Sequence, residues 1–142
     1  MQTALLPLQT SLYELYTGDG TLMALVTGVF DFVPGNQAYP FIRIGEFDSS
    51  EWRTHSRPGE QVVVTVHIYK DDNRAARGNK VLWQILDEVN RLTGDVTNIS
   101  VDGYDVIASW YQSSTIQLEV AKDQRLIRHL IAKYRFKMLE QP

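Results

Sequence analysis

Apolar residues near the start of the chain recur at helical spacing. Leu5, Leu8, Leu12, Leu15 and Tyr16 predict an amphipathic helix over residues 3–16, with Pro7 confined to its first turn. Gly18-Asp19-Gly20 breaks that pattern. Leu22, Leu25 and Val26 then predict a second short helix, capped by Asp19 or Thr21 and stopped by Gly28. Residues 29–40 mix aromatics with two prolines, Gly35 and Asn36, so an ordered crossing segment with little regular structure is expected.

Two strand patterns follow, at residues 41–47 and 61–69. In the second, Val62, Val64, Val66 and Ile68 share one face while Val63, Thr65, His67 and Tyr69 share the other, which predicts a strand in mid-sheet. The polar stretch 48–60 between them is longer than a hairpin needs and is expected to be an extended loop.

The sharpest helical stripe is Leu82, Ile85, Leu86, Val89 and Leu92, starting near Asn73 or Asn79 and ending at Gly94 as the residue after the cap. Asp87 and Arg91 stand four apart on it, as an ion pair would require. Asp102-Gly103, between residues 99–101 and 104–106, signals a two-residue hairpin with both central residues at positive φ. Alternation then runs over 106–120. A last strand sets Leu130, Ala132, Tyr134, Phe136 and Met138 against Lys133, Arg135 and Lys137, although residues 126–131 fit a helix nearly as well.

The expected order is helix, short helix, two strands, helix and three strands. That is an α+β fold: one mixed, mainly antiparallel β-sheet with an N-terminal helix and one long helix packed on it. The length of 142 residues suits one domain, and 44% hydrophobic residues supply its core. A formal net charge of −3 gives no global attraction for nucleic acid, and zero cysteines exclude disulfides, thiolate metal sites and cysteine nucleophiles. No run reaches the ~20 apolar residues of a membrane helix and no secretory leader is legible, so the expectation is a soluble protein made inside the cell, without a membrane partner.

Chemistry is scarce along this chain. His55, His67 and His129 fall in a loop and two separate strands without ligand spacing, so no metal and no cofactor is expected; His67 reads as an ordinary strand residue and His55 as a solvated one. Ser109, Ser113 and Ser114 lack an activating context. Asp71-Asp72 would favour a helix N-terminus, while Asp87 and Glu88 belong to a solvated helix face. No catalytic residue and no enzymatic activity is expected.

Three features remain as candidates for binding. The row Lys133, Arg135, Lys137 could touch phosphates, or could simply protect an exposed strand edge from pairing. Trp52 stands in a polar loop with Arg53, His55 and Arg57, either folded back on the core or set to enter a partner's pocket. Trp83 and Trp110 read as core or subunit-interface residues.

The order of these pieces resembles a known family. "LYELYTGDGTLMALV" (residues 12–26), "GVFDFVPGNQAYPFIRIGE" (28–46), "QVVVTVHIY" (61–69), the helix from Gly78 to Leu92 and "AKYRFKML" (132–139) together resemble the tail-completion, or tail-terminator, proteins of long-tailed phages and prophages. The chain departs from that pattern in the 93–98 connection and at 121–124, where such proteins often carry a glycine turn.

The resemblance implies a structural virion protein at the head-proximal end of the tail, assembled in the bacterial cytoplasm. It implies a ring, six-fold, that caps the tail tube, stops its polymerisation and joins it to the head connector. The implied partners are further copies of the chain, the tail tube protein and the head-tail connector protein, with DNA passing through the channel without specific binding. A head-completion or connector protein of the same virion, a small enzyme and a nucleic-acid-binding module are the alternatives. Docking on heads instead of tails, a convergent polar pocket, or a salt-dependent response to DNA would respectively mark them.

Overall fold

The computed structural model describes residues 2–72 and 77–142. Helix α1 spans Leu5–Thr17, α2 Gly20–Met23 and α3 Lys80–Thr93, with a 3-10 turn at Val96–Asn98. The strands are β1 (Val29–Phe30), β2 (Phe41–Glu51), β3 (Gly59–Asp71), β4 (Tyr104–Val120) and β5 (Leu126–Glu140). They form one five-stranded sheet in the order β1-β2-β3-β5-β4, antiparallel except for the short β1–β2 pair. The helices cover one face, as the α+β reading expects.

The two predicted apolar stripes meet. Leu82, Ile85 and Val89 of α3 have no exposed surface, nor do Val62, Val64, Val66 and Ile68 of β3, and all belong to one core cluster with Leu130, Ala132, Tyr134, Phe136 and Met138 of β5. From α1, Leu8, Leu12 and Tyr16 enter the same cluster. Pro7 sits in the first turn of α1, where no intrahelical partner is lost. Asp19 caps α2 by accepting from the Leu22 amide, and the helix ends at Met23, earlier than Gly28, so that Val26 can reach the core.

Several polar groups inside are matched. The Tyr16 hydroxyl meets Thr93 Oγ1 at 2.6 Å, and the Tyr134 hydroxyl donates to Asn90 Oδ1. Buried Glu60 accepts from the Ala4 amide at 2.7 Å and from Ser49 Oγ at 2.6 Å, which fastens the start of α1 to the β2–β3 hairpin.

Several expectations are corrected. The stretch 48–60 is strand at both ends: β2 and β3 continue into it, with Glu51 opposite Glu60, because their backbones keep pairing where the side chains turn polar. Residues 52–58 alone form the loop. Gly59 admits no side chain, since a Cβ there would lie 2.3 Å from the Trp52 carbonyl oxygen and 2.4 Å from that of Met138. The crossing segment does contain a two-residue strand, β1, and a cis Tyr39–Pro40 bond.

Residues 99–101 form no strand. Ile99 and Val101 instead turn inward to close the end of the core, and one bridge, Val101 to Tyr104, is all that pairs there. At that turn Gly103 alone takes positive φ, +83°. Gly94 ends α3 in a right-handed conformation, and Arg91 bonds Glu88 and Asp19 at 2.7 Å each instead of Asp87. A start of α3 at Asn73 lies outside the described residues; Asn79 is the residue before the helix.

Asp71 ends β3, and Asp72 follows it beside the start of α3, where it bonds Gly78, the residue before the Asn79 cap. Asp72 accepts from Arg128 Nη2 at 3.2 Å and from the Gly78 amide at 2.9 Å; these bonds hold its carboxyl down at about 2. Residues 126–131 are strand, and the turn before them places Gln124 at φ 69°, where a glycine would have been the easier residue.

Candidate assembly surface

The sequence candidates fall on the sheet face turned away from the helices, and at its rim. In loop 52–58 the Trp52 amide donates to the Gly59 carbonyl at 3.1 Å and the Thr54 amide to that of Arg57 at 3.0 Å, so the loop is a compact turn. Arg57 is engaged within the chain: its guanidinium holds the Glu140 carbonyl at 2.8 and 3.1 Å and Asp105 at 2.7 Å, and that last bond pulls the Asp105 carboxyl below its ordinary value. Arg53 reaches only Glu51, at 3.4 Å, and His55 is exposed.

Trp52 is partly buried and lies back against the sheet. Lys137 Nζ stands 5.4 Å from its ring centroid and 5.7 Å from that of Trp110, so the fold joins one residue of the loop set to one of the basic row. Such contacts contribute about 0.5–1 kcal/mol each at exposed positions. Arg135 donates to Gln112 Oε1 at 3.0 Å, and Lys133 is exposed. The edge-protection reading of this row is corrected, because β5 lies between β3 and β4 and is no edge.

The edge is β4. It runs 17 residues, pairs on one side only, and carries Ile107, Trp110, Tyr111, Leu118 and Val120 with 37–63% of their surfaces exposed. Bulges at Ile107 and Gln112 interrupt its alternation, so it departs from the regular two-residue period expected over 106–120. Trp83, at 45% exposed, and Trp110 are therefore not core residues.

At the opposite rim, beside β1, Leu6, Tyr13 and Phe32 are 72%, 48% and 87% exposed and help line a surface cavity of about 500 Å³ with Phe30 and Ile44. Sequence reasoning missed this patch. Its signal was a second apolar line on α1, Leu6 and Tyr13, seven residues apart and off the core stripe.

The histidines are also placed differently from expectation. His67 and His129, on adjacent strands, meet at 2.6 Å, and each also bonds a carboxylate, Glu46 and Glu119 respectively. Burial pushes His67 below its ordinary value. Burial alone would raise Glu46, but the bonds from His67 and Arg43 outweigh it and leave that carboxyl below its usual range. Among the described residues no cluster of three or more His, Cys, Asp or Glu could hold a metal ion, and no helix is long and apolar enough to cross a membrane.

Comparison with solved structures finds a chain from the virion of a native gene transfer agent particle. It superposes with a TM-score of 0.81 over 98% of this chain and 99% of that one, at 20% identity, a likeness that shows a common fold. No curated protein matches in sequence. The family described as Tail completion protein gp17 matches residues 10–131, from within α1 into β5. The resemblance read from the sequence motifs thus holds, and this chain belongs to the tail completion protein gp17 family of structural phage-tail proteins.

Proposed function

We propose that the whole chain acts as one domain, the subunit of a six-fold ring that caps the head-proximal end of the tube, stops its polymerisation and meets the head connector. The observation that carries this reading is the pair of unlike apolar rims on one sheet. The open strand β4 lies at one end and the Leu6–Tyr13–Phe32 patch at the other. A contact between unlike patches on successive copies is heterologous, and a heterologous contact closes into a ring when its rotation permits. A two-fold dimer through either rim would pair that rim with itself and leave the other uncovered.

The two faces of such a ring differ, which is what a terminator needs: one face matches the last tube ring and the other offers no site for another tube subunit. Loop 52–58, with Trp52, Arg53, His55 and Arg57, projects from the end of the β2–β3 hairpin and is assigned to the assembly surface. Lys133, Arg135 and Lys137 are assigned to an electrostatic face, past which DNA travels without specific binding. Electron microscopy of tails made without this protein tests the reading. Overlong or unfinished tubes are expected, with the added protein binding purified tails and not purified heads; tubes of normal length in its absence refute the terminator role.

A further inference from the structure

Four polar side chains cross the sheet face turned away from the helices, one from each of β2, β3, β5 and β4. His67 Nε2 is 2.6 Å from Glu46 Oε1, His67 Nδ1 is 2.6 Å from His129 Nε2, and His129 Nδ1 is 2.7 Å from Glu119 Oε2. Both imidazoles are buried, at 5% and 7% exposed, and the Tyr69 ring stacks on His129 at 4.2 Å. Glu46 reaches the row from a β-bulge between Gly45 and Phe47, at φ 40°, a left-handed conformation that a residue with a side chain adopts at a cost.

Hydrogens can be counted along this row. Each contact is of hydrogen-bond length and needs one hydrogen, since otherwise two lone pairs would face each other. Ionised carboxylates bring none and a neutral imidazole brings one, so two neutral rings leave the row one hydrogen short. We propose that the closed row binds a third proton as a structural ligand, forming an imidazole–imidazolium pair between two carboxylates that clasps the far end of the β4–β5 hairpin to β2 and β3.

The charges around the row agree. Facing it are Arg43 and Glu46 from β2, Tyr69 from β3 and Glu119 from β4, while β5 flanks His129 with the apolar Ile127 and Ile131. Arg43 bonds Glu46 at 3.2 Å. Two carboxylates against one guanidinium leave a net negative charge, which the added proton cancels. Burial favours the neutral form of His67. In that state its Nε2–H donates to Glu46, its Nδ1 accepts from His129, and His129 donates from both nitrogens.

The clasp has a structural consequence. The hairpin end it holds carries Leu118, Val120 and Leu126, 59%, 63% and 42% exposed, and among the described strands β4 pairs with β5 alone, its tie from Arg57 to Asp105 lying at the opposite end. With the proton gone, the His67–His129 contact opens and this end of the free edge loosens. The inference stands on the row itself and does not depend on the ring reading.

Nitrogen NMR of histidine-labelled protein tests it. At pH 6 the expected pattern is His67 carrying hydrogen on Nε2 and His129 on both nitrogens. As pH rises the row should lose its proton as a unit, and backbone amides of Gln117 and His129 should lose protection while those of Val64 and Val66 keep theirs. Glu119→Gln, at a half-buried carboxylate, should retain the fold and lower the row's midpoint by about one pH unit, a tenfold weaker hold on the proton. Two neutral rings at pH 6 in the folded protein, or a midpoint unmoved in Glu119→Gln, would overturn the proposal.

Discussion

Ile85→Ala tests the register on which the whole fold rests. Ile85 has no exposed surface and shares its core cluster with Val62, Val64, Val66 and Ile68. The substitution removes three carbon groups; at about 0.8 kcal/mol for each, the transfer loss is about 2.4 kcal/mol. A cavity remains, because the sheet on one side and α1 on the other limit relaxation, and it brings the expected loss to about 3–4 kcal/mol, inside the roughly 2–5 kcal/mol found for such truncations. At roughly 2–4 °C per kcal/mol for a chain of this size, the melting midpoint should fall by about 6–16 °C. Denaturant titration should show a lower midpoint concentration with an unchanged slope. Gln84→Ala, one residue away on the exposed side of α3, should stay within about 0.5 kcal/mol. An Ile85→Ala loss below about 0.5 kcal/mol would place that side chain at the surface and refute the packing argument.

Thr93→Val strands the buried Tyr16 hydroxyl and should cost about 1–3 kcal/mol, most of it recovered in the Tyr16→Phe, Thr93→Val double variant; simple additivity in a thermal double-mutant cycle would refute the coupling. Asp72, held at about 2 against an ordinary 3.8, has a depressed folded value, so its contribution is present above about pH 4 and disappears as pH falls towards 2. Asp72→Asn should therefore melt below the parent protein at pH 6, with the gap closing between about pH 4 and pH 2, and a gap that persists at pH 2 contradicts the assignment. Trp52→Ala should leave subunit stability within about 1 kcal/mol, since its ring is only partly buried, and weaken tail binding by about 2 kcal/mol, about 30-fold. Early melting would make Trp52 a folding residue, whereas normal melting with normal tail binding would remove loop 52–58 from the interface.

What was legible in the sequence is what depends on one element at a time. A helix or strand facing a single core must repeat its apolar residues at its own period, so α3 and β3 could be read from Leu82 to Leu92 and from Val62 to Ile68 without reference to anything else. The family motifs were legible for a related reason: they are packing and turn residues whose spacing the fold constrains along most of its length. Backbone pairing follows no such side-chain code, which is why β2 and β3 continue through polar residues 48–51 that read as loop.

The surfaces depended on the tertiary structure. Strand order is a relation among distant segments, and placing β5 inside the sheet moved the open edge to β4 and changed the meaning of Lys133, Arg135 and Lys137. Lys137 meets Trp52 and Trp110, and His67 meets His129, only because antiparallel registers bring positions 27 to 85 residues apart to neighbouring places on one face. Side-chain hydrogen bonds reach a few ångströms, so their partners are set by that register and by the bulge that turns out Glu46, neither of which leaves a local periodicity to be read.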